Sequence, residues 1–246
     1  LRMIGPTSDS RPPLESWDSI SKRIKKEKKQ GQLTMGYLPH GCMFQRLYYL
    51  RGFKNLMMDF ITEPPQLQDL INMVLDYNLK TISKWLEMDV DVMAFGDDIG
   101  IQDRLPINPK AFRKYLIPAY AKMFRICREA GVHVYLHSDG HIMEIAEDLI
   151  KAGVTILNLQ DRVNGIDNIA KVCKEKVCVD LDIDRQALLP FGTSEEIENH
   201  IKEAVIKLGS KKGGLMLKAD CYPDVPLANI EALCQALEKY QRYYSN

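Results

Sequence analysis

The sequence lacks a net charge, and it lacks any apolar run long enough to cross a membrane. Lys and Arg together number 33, and Asp and Glu also number 33, so no overall field attracts nucleic acid or an anionic membrane. Apolar runs such as Val154–Leu159 fall far short of the roughly 20 residues that a membrane helix needs. We therefore expect a soluble protein that binds neither nucleic acid nor membrane.

Two kinds of motif are also missing. The six cysteines include no Cys-x-x-Cys pair, and a chain of 246 residues can bury a large core without disulfides. We therefore expect a reducing, cytoplasmic compartment. The sequence also contains no Gly-x-Gly-x-x-Gly or Walker loop, the motifs that a nucleotide-binding doubly wound sheet carries at its switch point.

Helical and strand-like patterns alternate along the chain. The clearest helix is Pro65–Glu87, in which apolar residues recur every three or four positions over several turns. Short apolar runs typical of buried strands lie between the helices. The six predicted strands are Leu33–Leu38, Val90–Phe95, Val132–Leu136, Thr155–Leu159, Val177–Leu181 and Leu215–Leu217.

This alternation predicts parallel strands joined by crossover helices. The other predicted helices are Ser16–Gln30, Met43–Phe53 (which ends near Gly52), Pro109–Ala130 (which Pro118 can kink), Ile142–Ala152, Ile166–Cys173, Ser194–Leu208 and Leu227–Tyr240. An open doubly wound sheet could supply six strands, but an eight-stranded barrel usually takes about 250 residues. We therefore predict an α/β fold, a (β/α)8 TIM barrel with the N-terminal one or two β/α units missing. Residues 1–30 are assigned to an N-terminal tether and surface helix, and residues 31–246 to the C-terminal part of a single barrel domain.

Polar residues follow the predicted strands, where the ligand site of a parallel α/β fold lies. His137 and Asp139 are two positions apart, so at an extended strand end both point to one side. His137 can ligate a metal, and Asp139 can complete the site. Alternatively, His137 is a hydrogen-bonded structural group and Asp139 begins the turn at Gly140. We take His137 and Asp139 as candidate catalytic and metal-binding residues.

Other strand-end residues extend this candidate site. His40 follows the first strand, without an assigned role. Of the adjacent pair Asp97 and Asp98, only one can face the pocket, and Asp98 is chosen as catalytic, although either can cap the following turn. The candidate substrate-binding residues after later strands are Asn158, Gln160 and Asp182. The acidic run that contains Asp182 either lines the pocket or forms a solvated edge.

Cys221 is the cysteine best placed for chemistry, because it follows the last predicted strand. Its thiolate could bind zinc together with His137 and a carboxylate, which leaves a fourth position for a substrate thiol. A lone cysteine is weak evidence, and the other five are interpreted as small buried hydrophobes. Cys221 is therefore the third candidate metal ligand, beside His137 and Asp139.

Several segments resemble the uroporphyrinogen decarboxylase superfamily. They are FQRLYYLRGFKNLMMDF (44–60), FGDDIGIQ (95–102), HSDGHI (137–142), DIDRQALLPFGT (182–193) and DVPLANI (224–230). Together they cover nearly the whole chain from about Gly31 onward, in the right order. The resemblance implies a (β/α)8 barrel, with an N-terminal portion that this sequence does not include.

The superfamily includes zinc-dependent methyltransferases, which move a methyl group between a corrinoid protein and a thiol or a pterin, and decarboxylases of the haem pathway. In the methyltransferases, as the resemblance implies, a His-x-Cys turn and a later Cys hold the zinc. This sequence matches them with His137 and Cys221 but has Asp139 in place of the middle Cys. Aspartate can ligate zinc, but replacing sulfur with oxygen changes the preferred metal, so a different metal, or none, stays open.

The resemblance favours metal-dependent methyl transfer that involves a corrinoid protein and a thiol, a pterin or a methylated small molecule. Zinc and a corrinoid carried by a partner protein are the implied cofactors, the substrate is a small molecule, and a homodimer is considered. Uroporphyrinogen decarboxylation ranks second, because the arginine-rich N-terminal motif that grips the tetrapyrrole is not in this sequence. A barrel that binds a small molecule or a corrinoid protein without catalysis is the third alternative.

Overall fold

The computed structural model describes residues 15–244, and the predicted tether over Leu1–Pro13 lies outside them. The strands are β1 (Met35–Tyr37), β2 (Val92–Gly96), β3 (His133–Ser138), β4 (Ile156–Gln160), β5 (Cys178–Asp182) and β6 (Leu215–Lys218). The helices are α1 (Trp17–Lys29), α2 (Phe44–Arg51), α3 (Phe53–Thr62), α4 (Pro65–Leu86), α5 (Pro109–Tyr115), α6 (Ile117–Glu129), α7 (Met143–Ala152), α8 (Asp161–Asn164), α9 (Ile166–Cys173), α10 (Leu188–Phe191), α11 (Ser194–Leu208) and α12 (Leu227–Tyr240).

The six strands form one parallel sheet in chain order, β1-β2-β3-β4-β5-β6. One or more helices cross between each pair of neighbouring strands, which is the connection that parallel strands require. The predicted α/β architecture and its six strands are confirmed. Within residues 15–244, β1 and β6 are the two edges of the sheet, so closure into eight strands stays a prediction.

The two faces of the sheet differ in chemistry, because successive side chains of a strand point to opposite sides. The outer face packs against the helices, and its fully buried apolar side chains include Met93, Phe95, Val134, Leu136, Leu157, Leu159, Val179 and Leu181. The inner face carries polar residues on neighbouring strands, where His137 is in register with Asn158 and Asn158 with Asp180. The outer face therefore holds the fold together, and the inner face presents functional groups.

Helix α1 contributes to the same core as the rest of the chain. Ile20 and Ile24 are buried in that core, and Trp17 packs edge-on against Trp85 of α4 with ring centroids 5.3 Å apart. The predicted surface helix is therefore present, and one of its faces is covered. The boundary drawn at residue 30 stays a prediction.

Two of the predicted helices are interrupted. The chain bends at Gly52, which adopts a φ of 84° that glycine accepts readily, and a further helix, α3, follows it. The predicted helix over Pro109–Ala130 is divided at Leu116 into α5 and α6. Pro118 lies in the first turn of α6, where its missing N–H group breaks no hydrogen bond.

Among the described residues, none of the helices combines the length and the apolar character that a membrane span needs.

Candidate active site

A buried carboxylate fixes the loop between β1 and α2, which carries His40. Asp97, fully buried after β2, accepts hydrogen bonds of 2.6 to 2.9 Å from the backbone N–H groups of residues 43–45. The hydroxyl of Tyr120 donates to the same carboxylate at 2.6 Å. Burial raises the pKa of Asp97 more than these donors lower it. Asp97 therefore caps the first turn of α2 from a neighbouring strand.

His40 lies across the end of β2, next to Asp98. A Cβ atom on Gly96 would lie 2.6 Å from His40 Nδ1, so this approach requires glycine at position 96. His40 Nε2 is 3.0 Å from Asp98 Oδ2. The Gln45 side chain donates to Asp98 Oδ2 at 3.1 Å and accepts from the Asp98 backbone N–H at 3.2 Å. These contacts orient the Asp98 carboxylate toward His40.

His137 faces Asp98 from β3. Its Nε2 atom lies 3.5 Å from Asp98 Oδ1 and 3.7 Å from Asp139 Oδ1. Its Nδ1 atom lies 2.5 Å from Asn158 Oδ1, while Asn158 Nδ2 donates to the backbone carbonyl of Asp180 at 2.7 Å. Because the Asn158 amide group is committed to that carbonyl, its oxygen faces His137 and accepts the Nδ1 proton. The lone pair of neutral His137 is therefore on Nε2, beside Asp98.

The charges of this group favour an ionised carboxylate. Burial raises the pKa of Asp98, but hydrogen bonds from His137 in its protonated form, from the Asp139 backbone and from His40 outweigh it and hold the pKa well below its usual range. Burial lowers the pKa of His137, but its contacts with Asp98 and Asn158 and the Asp139 charge raise it further, above the ordinary value. Asp98 is thus an ionised carboxylate that lies between two imidazoles.

His40, Asp98 and His137 form a group that can hold a metal ion. One ligand atom from each side chain lies within 4.8 Å of the other two. Within residues 15–244, no other set of three or more His, Cys, Asp or Glu side chains converges in this way. Two ligands bound at about 2.0–2.2 Å to a tetrahedral ion are about 3.3–3.6 Å apart. Asp98 Oδ2 lies 3.0 Å from His40 Nε2, and Asp98 Oδ1 lies 3.5 Å from His137 Nε2, so the three side chains are about as close together as the ligands of one ion. Two imidazoles and one carboxylate fit zinc with an open fourth position, and also fit other divalent ions.

Asp139 lies beside this group and is bound by an arginine. Arg185 Nη2 lies 3.0 Å from Asp139 Oδ2, and the same guanidinium contacts Asp182 at 2.6 Å and Asp220 at 3.1 Å. The Asp139 backbone N–H donates to Asp98 Oδ1 at 3.1 Å. Asp139 thus helps to orient Asp98, and its carboxylate pairs mainly with Arg185.

The structure does not bring Cys221 to His137. Cys221 is exposed in the segment after β6 and does not belong to the converging group. β4 and β5 separate β6 from β3, and three steps of about 4.8 Å place the two strands about 14 Å apart. The predicted trio of His137, Asp139 and Cys221 is therefore not assembled around one point, since Cys221 is exposed and the Asp139 carboxylate pairs with Arg185.

The predicted substrate-binding residues support the strand-end turns. Asn158 orients His137, and Gln160 accepts a hydrogen bond of 2.9 Å from the Gly140 backbone N–H. Gly140 has a φ of 80°, and a Cβ atom there would collide with the Gly100 backbone, which explains the glycine of the HSDGHI segment. Contact of Asn158, Gln160 or Asp182 with substrate stays a prediction.

His40 is a candidate metal ligand to which the sequence patterns assigned no role. Its position after a predicted strand was the available signal. The pairing of β1 with β2, which brings it to Asp98 across 58 residues of chain, was not available from local patterns.

The family model described as "Uroporphyrinogen decarboxylase (URO-D)" matches residues 18–240, which is most of the chain. The chain belongs to the uroporphyrinogen decarboxylase family. The resemblance carried by the sequence segments is thereby confirmed. No curated protein matches the chain significantly.

Several solved enzymes share the fold. A methyltransferase from Methanosarcina mazei superposes with a TM-score of 0.66 at 21% identity, over 91% of this chain and 64% of that one. A B12-independent methionine synthase from Shewanella sp. W3-18-1 superposes with a TM-score of 0.55 at 12% identity, over 98% of this chain and 69% of that one. The 3-keto-D-glucoside 4-epimerase of E. coli superposes with a TM-score of 0.53 at 9% identity, over 92% of this chain and 85% of that one.

These likenesses support a TIM-barrel-like fold of the uroporphyrinogen decarboxylase family. The chain spans less than two thirds of the length of the M. mazei methyltransferase. The family and these three structures all bear the names of enzymes, which supports the interpretation of this protein as an enzyme.

Proposed function

We propose that this protein catalyses metal-dependent methyl transfer that involves a corrinoid protein and a thiol, a pterin or a methylated small molecule. The observation that supports it best is the convergence of His40, Asp98 and His137 at the strand ends, where parallel α/β enzymes place their active sites. A thiol is the acceptor that this donor set suits best.

The side chains of the group account for its chemistry. A bound zinc ion would lower the pKa of a thiol in its open position, so that the thiol reacts as a thiolate. Two neutral imidazoles and one carboxylate leave a positive charge on a divalent ion, which favours an anionic fourth ligand. Asn158 presents the Nε2 lone pair of His137, and Gln45 orients Asp98. These residues therefore prepare the site before a ligand arrives.

The charges at the strand ends favour methyl transfer over decarboxylation of a tetrapyrrole. Arg185 is engaged by the carboxylates of Asp139, Asp182 and Asp220, so it is not available to bind acidic side chains of a substrate. A substrate with many carboxylates would meet like charges here, and such juxtapositions are costly. Decarboxylation therefore ranks second among the proposed reactions.

Metal analysis together with a turnover assay tests this proposal. We expect purified protein to bind about one zinc ion, and His40→Ala and His137→Ala each to retain less than about a tenth of it. His133→Ala is the matched control, because His133 lies exposed at the opposite end of β3. With zinc-loaded protein, methylcobalamin and a thiol under anaerobic conditions, we expect a thioether together with cob(I)alamin, which leaves with the electron pair of the broken Co–C bond, and neither ligand variant should form them.

Three results would contradict the proposal in different ways. Wild-type protein that binds no zinc, with no change in His137→Ala, would rule out this metal centre. Loss of carboxylates from uroporphyrinogen, without methyl transfer, would favour the decarboxylase. Tight binding of methylcobalamin without turnover would favour the non-catalytic barrel.

A further inference from the structure

A second polar group lies on the inner face of the sheet, outside the metal-binding group. Asp180 and Asp182 both project from β5, and the strand register places Asp182 between Gln160 of β4 and Lys218 of β6. Both aspartates are buried, with Asp182 only 2% exposed. The hydroxyl of Tyr135 donates to Asp180 at 2.8 Å, which confirms that β5 presents these carboxylates to the same face as β3.

Only one of the two oxygen atoms of the Asp182 carboxylate accepts a hydrogen bond. Its Oδ2 atom accepts a hydrogen bond of 2.6 Å from Arg185. Its Oδ1 atom is buried and has no hydrogen-bond donor within residues 15–244. Buried polar atoms are nearly always paired, and leaving one unpaired is costly. Asp182 belongs to the inner face by strand register, and a buried carboxylate oxygen there that lacks a donor indicates a position for a donor from a ligand.

The balance of charge around Asp182 shows which kind of donor fits. The carboxylates on this face are Asp98, Asp139, Asp180, Asp182 and Asp220, and the cations among them are Arg185 and Lys218. Negative charge therefore exceeds positive charge, and a divalent ion at the His40 group still leaves one carboxylate uncompensated. A cationic N–H donor supplies both the missing hydrogen bond and the missing charge.

We propose that Asp182 binds a protonated amine of the substrate, at a position separate from the reacting end that the metal group holds. This inference rests on the proposed function, and it narrows the substrate to a compound that carries both a reactive group and an ammonium. β3 and β5 are about 10 Å apart, and the side chains of His137 and Asp182 both point inward, so a small molecule can contact both. Lys218 does not supply the missing donor, because its Nζ atom lies 3.3 Å from Asp220 Oδ2.

Calorimetric titration of zinc-loaded protein with two matched thiols tests the inference. The probes are 3-aminopropane-1-thiol and 3-hydroxypropane-1-thiol, which differ in the ammonium. We expect wild type to bind the aminothiol at least about tenfold more tightly, since charge-assisted hydrogen bonds are the stronger kind. Asp182→Asn should remove this preference, so that the variant binds the two thiols with similar affinity.

Asp220→Asn is the matched control variant. Asp220 also pairs with Arg185, but it is partly exposed and its carboxylate is not among the unpartnered groups. We expect Asp220→Asn to keep most of the preference for the aminothiol. Equal loss in the two variants would show a general negative field and overturn the role of Asp182.

Failure of the inference and failure of the proposed function give different results. If the hydroxythiol binds in a zinc-dependent way but wild type shows no preference for the aminothiol, the amine position is wrong and the metal function stands. If binding of neither thiol depends on zinc, the proposed metal function is wrong. Titration of metal-free protein with propylammonium and with propanol then still tests whether Asp182 binds an ammonium group. This comparison within wild type does not depend on folding of any variant. Equal binding of these two probes would overturn the inference.

Discussion

Asn158 decides which nitrogen of His137 is free to bind a ligand. Its oxygen accepts the proton on Nδ1 at 2.5 Å, and loss of such a partner typically weakens metal binding by about 10- to 100-fold. We therefore expect Asn158→Ala to raise the zinc dissociation constant by that factor, measured by competition with a chromogenic chelator. Asn158→Asp keeps an oxygen that can accept the proton and should retain more of the affinity. An Asn158→Ala protein with the affinity of wild type would refute this positioning role.

Asp182 links the stability of the fold to pH. Burial raises its pKa to about 6, although Arg185 and Lys218 lower it. The ordinary value is about 3.9, so between about pH 4 and pH 6 the folded chain binds this proton more tightly than the unfolded chain does. The contribution of Asp182 to stability is therefore present at pH 4 and is lost as the pH rises to 6, by roughly 3 kcal/mol.

Asp182→Asn should remove this pH dependence. We expect the free energy of unfolding of wild type, measured with urea, to fall more steeply between pH 4 and pH 7 than that of the variant. Parallel curves for the two proteins would show that Asp182 titrates normally. Acidic residues away from Arg185 contribute equally to both curves, so the difference reports Asp182 and the carboxylates that share Arg185 with it.

Two helix caps differ in burial, and they should differ in importance. Asp97 caps α2 from a fully buried position with donors from three backbone N–H groups and Tyr120. Thr193 caps α11 at the surface through a capping box with Glu196. We expect Asp97→Ala to lower the free energy of unfolding by about 3 kcal/mol or more, and Thr193→Ala by about 1 kcal/mol. Equal losses in urea unfolding would contradict a structural role for the buried cap.

Most of the helices could be predicted from the sequence. The bounds of α9, α11 and α12 coincide with the predicted ones, because a single apolar face repeats at the helical period and ends at clear boundaries. The sequence patterns do not predict α3, because it begins directly after the helix end at Gly52, nor the four-residue helices α8 and α10, which are too short to show a helical period. The sequence predicts one helix with a kink at Pro118, whereas the structure has two helices, α5 and α6. A proline near the start of a helix and a proline within a helix look alike in sequence.

The two faces of the sheet should respond differently to the same kind of substitution. Leu157 is completely buried on the outer face, whereas Met216 on the inner face is 41% exposed. We expect Leu157→Ala to cost about 2–5 kcal/mol, because it removes packed methyl groups and leaves a cavity. Met216→Ala should cost less than about 1 kcal/mol, since its side chain is largely in water already. Equal shifts of the melting temperature would show that the inner face is also a packed core.

The sequence by itself determined the alternation of helices and strands, the family, and the strand-end positions of His137, Asp98 and Asn158. These features depend on local periodicity and on which residue follows each strand. Only the tertiary structure decided which strand-end residues meet. Pairing of β1 with β2 brings His40 to Asp98, Arg185 joins Asp139 to Asp182, and Cys221 is left exposed after β6. Strand order and register set these distances, and both arise from contacts between segments far apart in the chain.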